Sequence, residues 1–199
     1  MMIKPIQTYY KGYHFRSRLE ARWAVFFDKF GVEWQYETEG YILNNGEWYL
    51  PDFYLPELNI YLEIKPEYIL EHNTLEYIRV LRCSIHMKQG GFTLWGVFGN
   101  PWPNEYHVYT WRASPHGYEP ELIVFADCRR CNGVSFLAIA DWESGMKVDG
   151  WDDHFCGSGN LGHHTCGDHF LDPLASGERI VSAYRASRSA RFEFGETPR

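Results

Sequence analysis

The sequence has no run of about 18 apolar residues, so it predicts no transmembrane helix and no membrane partner. Residues 1–15 also lack the apolar stretch of a signal peptide, which leads us to expect a cytoplasmic protein.

Cysteine is scarce. The five cysteines are an odd number, and four of them lie between Cys128 and Cys166, which is typical of a metal site in a reducing compartment rather than of a disulfide framework.

Basic residues are few as well. Lysine and arginine total 19 against 26 acidic residues, and the formal net charge is −7. A protein that binds DNA by neutralising phosphates is usually basic, so this balance argues against tight non-specific DNA binding. The charge is uneven, however: seven acids and one base lie between Asp141 and Asp172, whereas five arginines and two glutamates lie between Arg179 and Arg199. A local basic surface is therefore compatible with the negative total.

Aromatic residues, by contrast, are abundant, with 8 Trp, 14 Tyr and 13 Phe. Residues 16–31 predict a helix with Ser17 as N-cap and Gly31 just past its end. Its apolar positions recur at helical spacing and form one stripe, which consists of Leu19, Trp23, Phe26, Phe27 and Phe30.

The rest of the chain predicts a three-part organisation. Three strands are expected over residues 32–66, a helix over 67–89 and two strands up to about residue 111, which gives the order α-β-β-β-α-β-β from residue 16. Residues 1–126 are thus predicted to be an α/β core with a mixed central sheet. Glycine, aspartate, histidine and cysteine dominate residues 127–173, which predicts a small loop-rich insert. Residues 174–199 predict a C-terminal helix and tail that pack on the core or on the insert.

Two carboxylates and a lysine stand out in the predicted strand Ile60–Lys65 and just before it. Side chains alternate along a strand, so Glu63 and Lys65 emerge on one face, about 7 Å apart. If the preceding strand is an antiparallel neighbour, Asp52 lies beside Glu63. A divalent cation relieves the repulsion of two close carboxylates, and oxygen ligands, including the Ile64 carbonyl, suit Mg²⁺ or Mn²⁺. The alternative is a cross-strand salt bridge on a wet face of the sheet.

Pro51-Asp52, ten intervening residues and then Glu63-Ile64-Lys65 resemble the signature of the PD-(D/E)XK nuclease superfamily. The predicted α-β-β-β-α-β order resembles its restriction-endonuclease-like core. The runs FRSRLEARWAVFFDKFG, WYLPDFYLP, YLEIKP and AYRASRSARFEFGE are similar to a group of phage- and actinobacterial-type members.

The resemblance implies a metal-dependent deoxyribonuclease in the cytoplasm of a bacterium or of a phage-infected host cell. Asp52 and Glu63 would hold Mg²⁺ or Mn²⁺, and Lys65 would assist the hydrolysis of a phosphodiester bond in DNA. Two alternatives on the same fold stay open: a catalytically silent module that binds nucleic acid or protein, and an RNA-directed nuclease.

Glu20 has two competing interpretations. Many members of the superfamily carry a glutamate on the first helix, so the resemblance implies a catalytic role for Glu20. However, Ser17-x-x-Glu20 is also a capping box, in which the glutamate would accept a hydrogen bond from the Ser17 backbone N–H. Nearby, Arg16, Arg18 and Arg22 are within reach of phosphates but are interpreted as solvated surface charges.

The predicted insert contains a second candidate metal site. Cys128 and Cys131 form a C-x-x-C pair, and Cys156 and Cys166, with His163 as an alternate ligand, complete a set typical of structural Zn²⁺. A redox pair or unrelated buried cysteines are the alternatives. The acidic surroundings favour docking on the nuclease core or on a protein partner over contact with phosphates. The C-terminal helix carries arginines that would cover this acidic insert or meet DNA, namely Arg185, Arg188 and Arg191.

Overall fold

The structure is a computed structural model of the 199-residue chain, and it describes residues 5–67, 75–101, 108–114, 117–127, 134–139 and 178–192. Within these ranges the helices are α1 (Arg18–Phe30), α2 (Leu75–Gln89) and α3 (Glu178–Ser189). The strands are β1 (Thr8–Tyr10), β2 (Tyr13–Phe15), β3 (Gln35–Tyr36), β4 (Tyr41–Ile42), β5 (Trp48–Tyr49), β6 (Phe53–Leu55), β7 (Ile60–Lys65), β8 (Thr93–Phe98), β9 (Val108–Ser114), β10 (Gly117–Asp127) and β11 (Val134–Ile139). None of the described helices is long and apolar enough to cross a membrane.

A mixed seven-stranded sheet organises the chain, in the order β11-β10-β9-β8-β7-β6-β3. Strands β7 and β8 are parallel, with α2 in the connection between them, and the other neighbours are antiparallel. Because β4 and β5 form a separate hairpin, the helices and main-sheet strands from α1 to β9 follow the order α1-β3-β6-β7-α2-β8-β9. The prediction of a mixed α+β fold with a mixed sheet is therefore confirmed.

Local signals determine where α1 begins and ends. The Ser17 hydroxyl accepts a hydrogen bond from the Glu20 N–H, and Gly31 ends the helix in a left-handed conformation at φ 82°. The predicted apolar stripe is buried except for Leu19, which is partly buried. Helix α3 packs on this helix, with the ring centroids of Phe26 and Tyr184 4.7 Å apart.

The two faces of β7 meet different layers. Leu62 and Ile64 belong to the large core that includes α1, whereas Tyr61 belongs to a second cluster with Cys83 and Met87 of α2. Since side chains alternate along a strand, Glu63 and Lys65 share the face of Tyr61. The polar residues of β7 therefore lie on the α2 side of the sheet, near its carboxyl end.

The sheet continues into the range 127–173 that the sequence assigns to the insert. Strand β10 ends at Asp127, which is the antiparallel partner of Val134 at the start of β11. The sequence predicts neither strand. The residues between them, and most of the predicted insert, lie outside the described residues.

Candidate active site

Asp52 and Glu63 come together because β6 and β7 are antiparallel neighbours. The pairing of Phe53 with Leu62 puts Asp52, the next residue back, beside Glu63. The Ile64 N–H donates a hydrogen bond to Asp52 Oδ2 at 2.7 Å, which fixes one carboxylate oxygen against the backbone of β7. Asp52 and Glu63 are only 3% and 4% exposed, so these two carboxylates are not on the wet sheet face that a surface salt bridge requires.

Lys65 is the partly exposed partner of Glu63. Its Nζ donates to Glu63 Oε1 at 2.5 Å, and its side chain is 23% exposed. The Gly99 N–H donates to the Lys65 carbonyl at 2.9 Å, which joins the ends of β7 and β8. The amine is therefore directed at a buried carboxylate while its surroundings stay partly open to solvent.

The backbone of Ile64 also faces this cluster. In a strand, the N–H and the C=O of one residue point toward the same neighbouring strand. Because the Ile64 N–H donates to Asp52, its carbonyl oxygen points toward the Asp52 side of β7 as well. This orientation supports the predicted use of that oxygen as a ligand.

Tyr49 is a site residue that sequence reasoning misses. Its hydroxyl donates to Glu63 Oε2 at 2.7 Å, and the side chain is 2% exposed. Together with Lys65, it gives each Glu63 oxygen one donor. In the sequence, Trp48 and Tyr49 are adjacent aromatic residues, and on a strand one of them is expected to face the core. That pattern shows neither that Tyr49 is the buried one nor what it binds.

Arg16 is not the solvated surface charge that the sequence suggests. One nitrogen of its guanidinium lies 3.2 Å from Asp52 Oδ1 and also contacts the Glu37 carboxylate. The side chain is nevertheless 54% exposed. Arg16 therefore connects the buried carboxylate of Asp52 to the protein surface.

Glu20 is buried and accepts three hydrogen bonds through its carboxylate. The donors are the Ser17 hydroxyl at 2.6 Å, the Tyr36 hydroxyl at 2.5 Å and the Arg16 backbone N–H at 3.1 Å. The contacts thus favour a capping role, although the backbone donor belongs to Arg16 and not to Ser17 as the capping box predicts. A catalytic role for Glu20 stays a prediction.

The site opposes the ionisation of Asp52. Burial raises the pKa of Asp52 well above its usual value, and the charges of Glu63 and Glu20 raise it further, against the opposing effects of Lys65 and the Ile64 N–H. Burial by itself lowers the pKa of Lys65, but the charges of Glu63 and Asp52 outweigh it, so that the pKa is raised. Asp52 is therefore charged only at an energetic cost, which a further cation would reduce.

The donor set fits a hard divalent cation. With every group ionised, the described carboxylates of the cluster exceed its cations by two charges, counting Glu20, Glu37, Asp52 and Glu63 against Arg16 and Lys65. Across the ranges that the structure describes, no three His, Cys, Asp or Glu side chains form a ready metal-binding group. A cation here would therefore combine Asp52 and Glu63 with backbone, water or substrate oxygens, as Mg²⁺ commonly does.

Comparisons with protein-family models, with curated proteins and with solved structures found no match to this chain. The resemblance to a nuclease superfamily therefore stays a prediction from the motif and the order of elements. The predicted zinc ligands lie outside the described residues, namely Cys128, Cys131, Cys156, Cys166 and the alternate His163.

Proposed function

We propose that this chain is a metal-dependent deoxyribonuclease of the PD-(D/E)XK type that hydrolyses phosphodiester bonds. The observation that carries the proposal is the buried pair of Asp52 and Glu63, with the Lys65 amine 2.5 Å from Glu63 at the carboxyl end of β7. Burying two carboxylates side by side is costly unless something binds them. A site for Mg²⁺ or Mn²⁺ accounts for that arrangement.

The fold supports this proposal. The main sheet and the first two helices follow the order that the resemblance implies for a restriction-endonuclease-like core, with Asp52 just before β6 and with Glu63 and Lys65 on its antiparallel neighbour β7. The parallel strand β8 then follows α2. This agreement with the order that the resemblance implies supports the proposal.

Each residue has a defined task in the proposed reaction. Asp52, Glu63 and the Ile64 carbonyl would hold the cation, which when bound polarises the scissile phosphate and lowers the pKa of a coordinated water. Lys65 keeps a positive charge beside the pair, where negative charge develops on the phosphate oxygens. Tyr49 holds Glu63 by its other oxygen. Lys65 is partly exposed, and we propose that DNA approaches the pair from its side.

Lys65→Ala tests the proposal because Lys65 is partly exposed and its removal leaves both carboxylates in place. We expect cleavage of linear and circular DNA in Mg²⁺ or Mn²⁺ to fall about 10²-fold or more. Lys88→Ala, at an exposed position on α2, is the control and should cleave like wild type. Circular dichroism checks that both variants fold. Undiminished cleavage by Lys65→Ala would rule out the role given to the amine.

We also propose that the range 127–173 holds a structural Zn²⁺, with Cys128 and Cys131 as two of its ligands and Cys156 and Cys166, or the alternate His163, completing the set. Support comes from the strands on either side. Asp127 and Val134 are antiparallel partners, so the chain that contains the C-x-x-C pair starts and ends at adjacent points of the sheet. A C-x-x-C pair in such a connection is common in zinc-binding ribbons.

A further inference from the structure

Arg16 combines a fixed backbone with a side chain that reaches both the site and the solvent. Its N–H donates to Glu20 Oε2 at 3.1 Å and to the Tyr36 hydroxyl at 3.2 Å, immediately before α1. Its guanidinium, by contrast, lies half-exposed against Asp52 and Glu37. The side chain can therefore change partner without any change in the backbone.

Arg16 contacts the Asp52 carboxylate oxygen that does not accept the hydrogen bond from the Ile64 backbone. Ile64 donates to Oδ2, whereas Arg16 approaches Oδ1 at 3.2 Å. A divalent cation bound between Asp52 and Glu63 would neutralise the same carboxylate and repel the guanidinium. The two positive groups therefore compete for Asp52.

We propose that Arg16 is the counter-ion of Asp52 in the metal-free protein and turns to a DNA phosphate when the cation binds. This inference rests on the proposed function, because it takes the carboxylate pair as the cation site. A planar guanidinium suits both partners, since it donates paired hydrogen bonds to a carboxylate or to a phosphate. Arg16 is thus a residue that positions substrate, and its contribution to DNA binding depends on the cation.

The first test measures Mn²⁺ binding by calorimetry at low salt without DNA. Arg16→Gln removes the competing charge, so we expect the Mn²⁺ association constant to rise about two- to fivefold, as expected from the strength of a partly exposed ion pair. Arg16→Lys keeps the charge and should bind Mn²⁺ like wild type. Arg82→Gln is the control, because Arg82 is exposed on α2 and its charge acts on Glu47.

The second test measures the affinity for a fluorescent DNA duplex by anisotropy as a function of salt, in the Lys65→Ala background to slow cleavage. With saturating Mn²⁺, Arg16→Gln should weaken binding and reduce the slope of log K against log salt by about one, the effect of losing one phosphate contact. Without Mn²⁺ the slope should not change, because Arg16 is then held by Asp52. Arg16→Lys should restore most of the slope.

Different failures have different meanings. If wild type binds Mn²⁺ but Arg16→Gln binds it no more tightly, the counter-ion exchange is wrong and the nuclease proposal survives. If the loss of slope is the same with and without Mn²⁺, Arg16 contacts phosphate independently of the cation, which also overturns the inference. If wild type binds no Mn²⁺ and cleaves no DNA, the proposed function fails first. Thermal unfolding of each variant checks that the fold is retained.

Discussion

Replacing Asp52 with asparagine should make the metal-free protein more stable while removing its response to metal. Asn retains an oxygen that accepts from the Ile64 N–H, so the hydrogen bond at 2.7 Å can persist. The substitution removes the carboxyl group of Asp52, which burial and the neighbouring Glu63 make difficult to ionise by raising its pKa well above the usual value. The substitution therefore removes an electrostatic cost and keeps the local geometry.

The sign of the pH dependence follows from proton binding. Between the unfolded pKa of about 3.9 and the raised native pKa, the native state keeps the Asp52 proton and the unfolded state releases it. The free energy of unfolding of wild type therefore decreases as pH rises through this window, by up to about 1.4 kcal/mol per pH unit. Asp52→Asn should lack this decrease, so that its stability advantage grows toward neutral pH.

Added Mn²⁺ should make wild type more stable than Asp52→Asn. A ligand at 100 times its Kd stabilises the native state by about 2.7 kcal/mol, which for a domain of this size corresponds to a Tm increase of roughly 5–10 °C. Wild type should show this increase and Asp52→Asn should show little of it. Denaturant unfolding of wild type and Asp52→Asn at pH 5 and pH 8, with and without Mn²⁺, gives the free energy of unfolding under each of the four conditions.

Glu57→Gln is the matched control, because Glu57 is exposed in the turn between β6 and β7 and loses the same charge on substitution. It should leave both the pH dependence and the Mn²⁺ response as in wild type. A loss of metal-free stability in Asp52→Asn at pH 8, or a full Mn²⁺ response in that variant, would refute the assignment of Asp52 as a strained metal ligand.

Two further predictions concern Tyr49 and the zinc site. Tyr49→Phe removes a buried donor from Glu63 and should lower the free energy of unfolding by about 1–3 kcal/mol in denaturant titrations, whereas Tyr9→Phe, at an exposed tyrosine of β1, should change it by less than about 0.5 kcal/mol. Equal effects of the two variants would contradict the Tyr49 contact. Elemental analysis should find one zinc per chain, which Cys131→Ser loses and Cys83→Ala retains. A zinc-free wild type would exclude the site.

Sequence reasoning succeeds where short-range signals decide the structure. Helix α1 is predicted from the cap at Ser17, the apolar stripe and Gly31. The structure places both ends of the helix close to the predicted ones. The alternation along β7 likewise predicts that Glu63 and Lys65 share a face. These features depend on spacing along the chain, which the sequence displays directly.

The strands β10 and β11 show where such reasoning fails. A change of composition near Asp127 indicates a loop-rich insert, yet β10 runs to Asp127 and pairs with Val134–Ile139. Val134–Ile139 is a short apolar run, which periodicity alone cannot assign to a strand or to a buried helix segment. Its partner, not its composition, explains its structure.

The contacts that complete the site were unpredictable for the same reason. Tyr49 is 14 residues from Glu63 in the chain, and Arg16 is 36 residues from Asp52. No periodicity relates residues at such separations, because the packing of the hairpin and of the turn before α1 brings them together. The motif thus identifies the acidic centre, whereas only the three-dimensional structure identifies the groups that hold it.

The burial of this centre argues against the interpretation of the motif as a surface salt bridge. A salt bridge on a wet face needs exposed partners, but five of the six residues of β7 are buried and Lys65 is only intermediate. A buried ion pair stabilises a protein little, and often less than apolar residues of the same size would. Lys65 moreover balances only one of the two buried carboxylates, and Arg16, which contacts the other, is half in solvent. A cation taken from solution accounts best for the remaining negative charge.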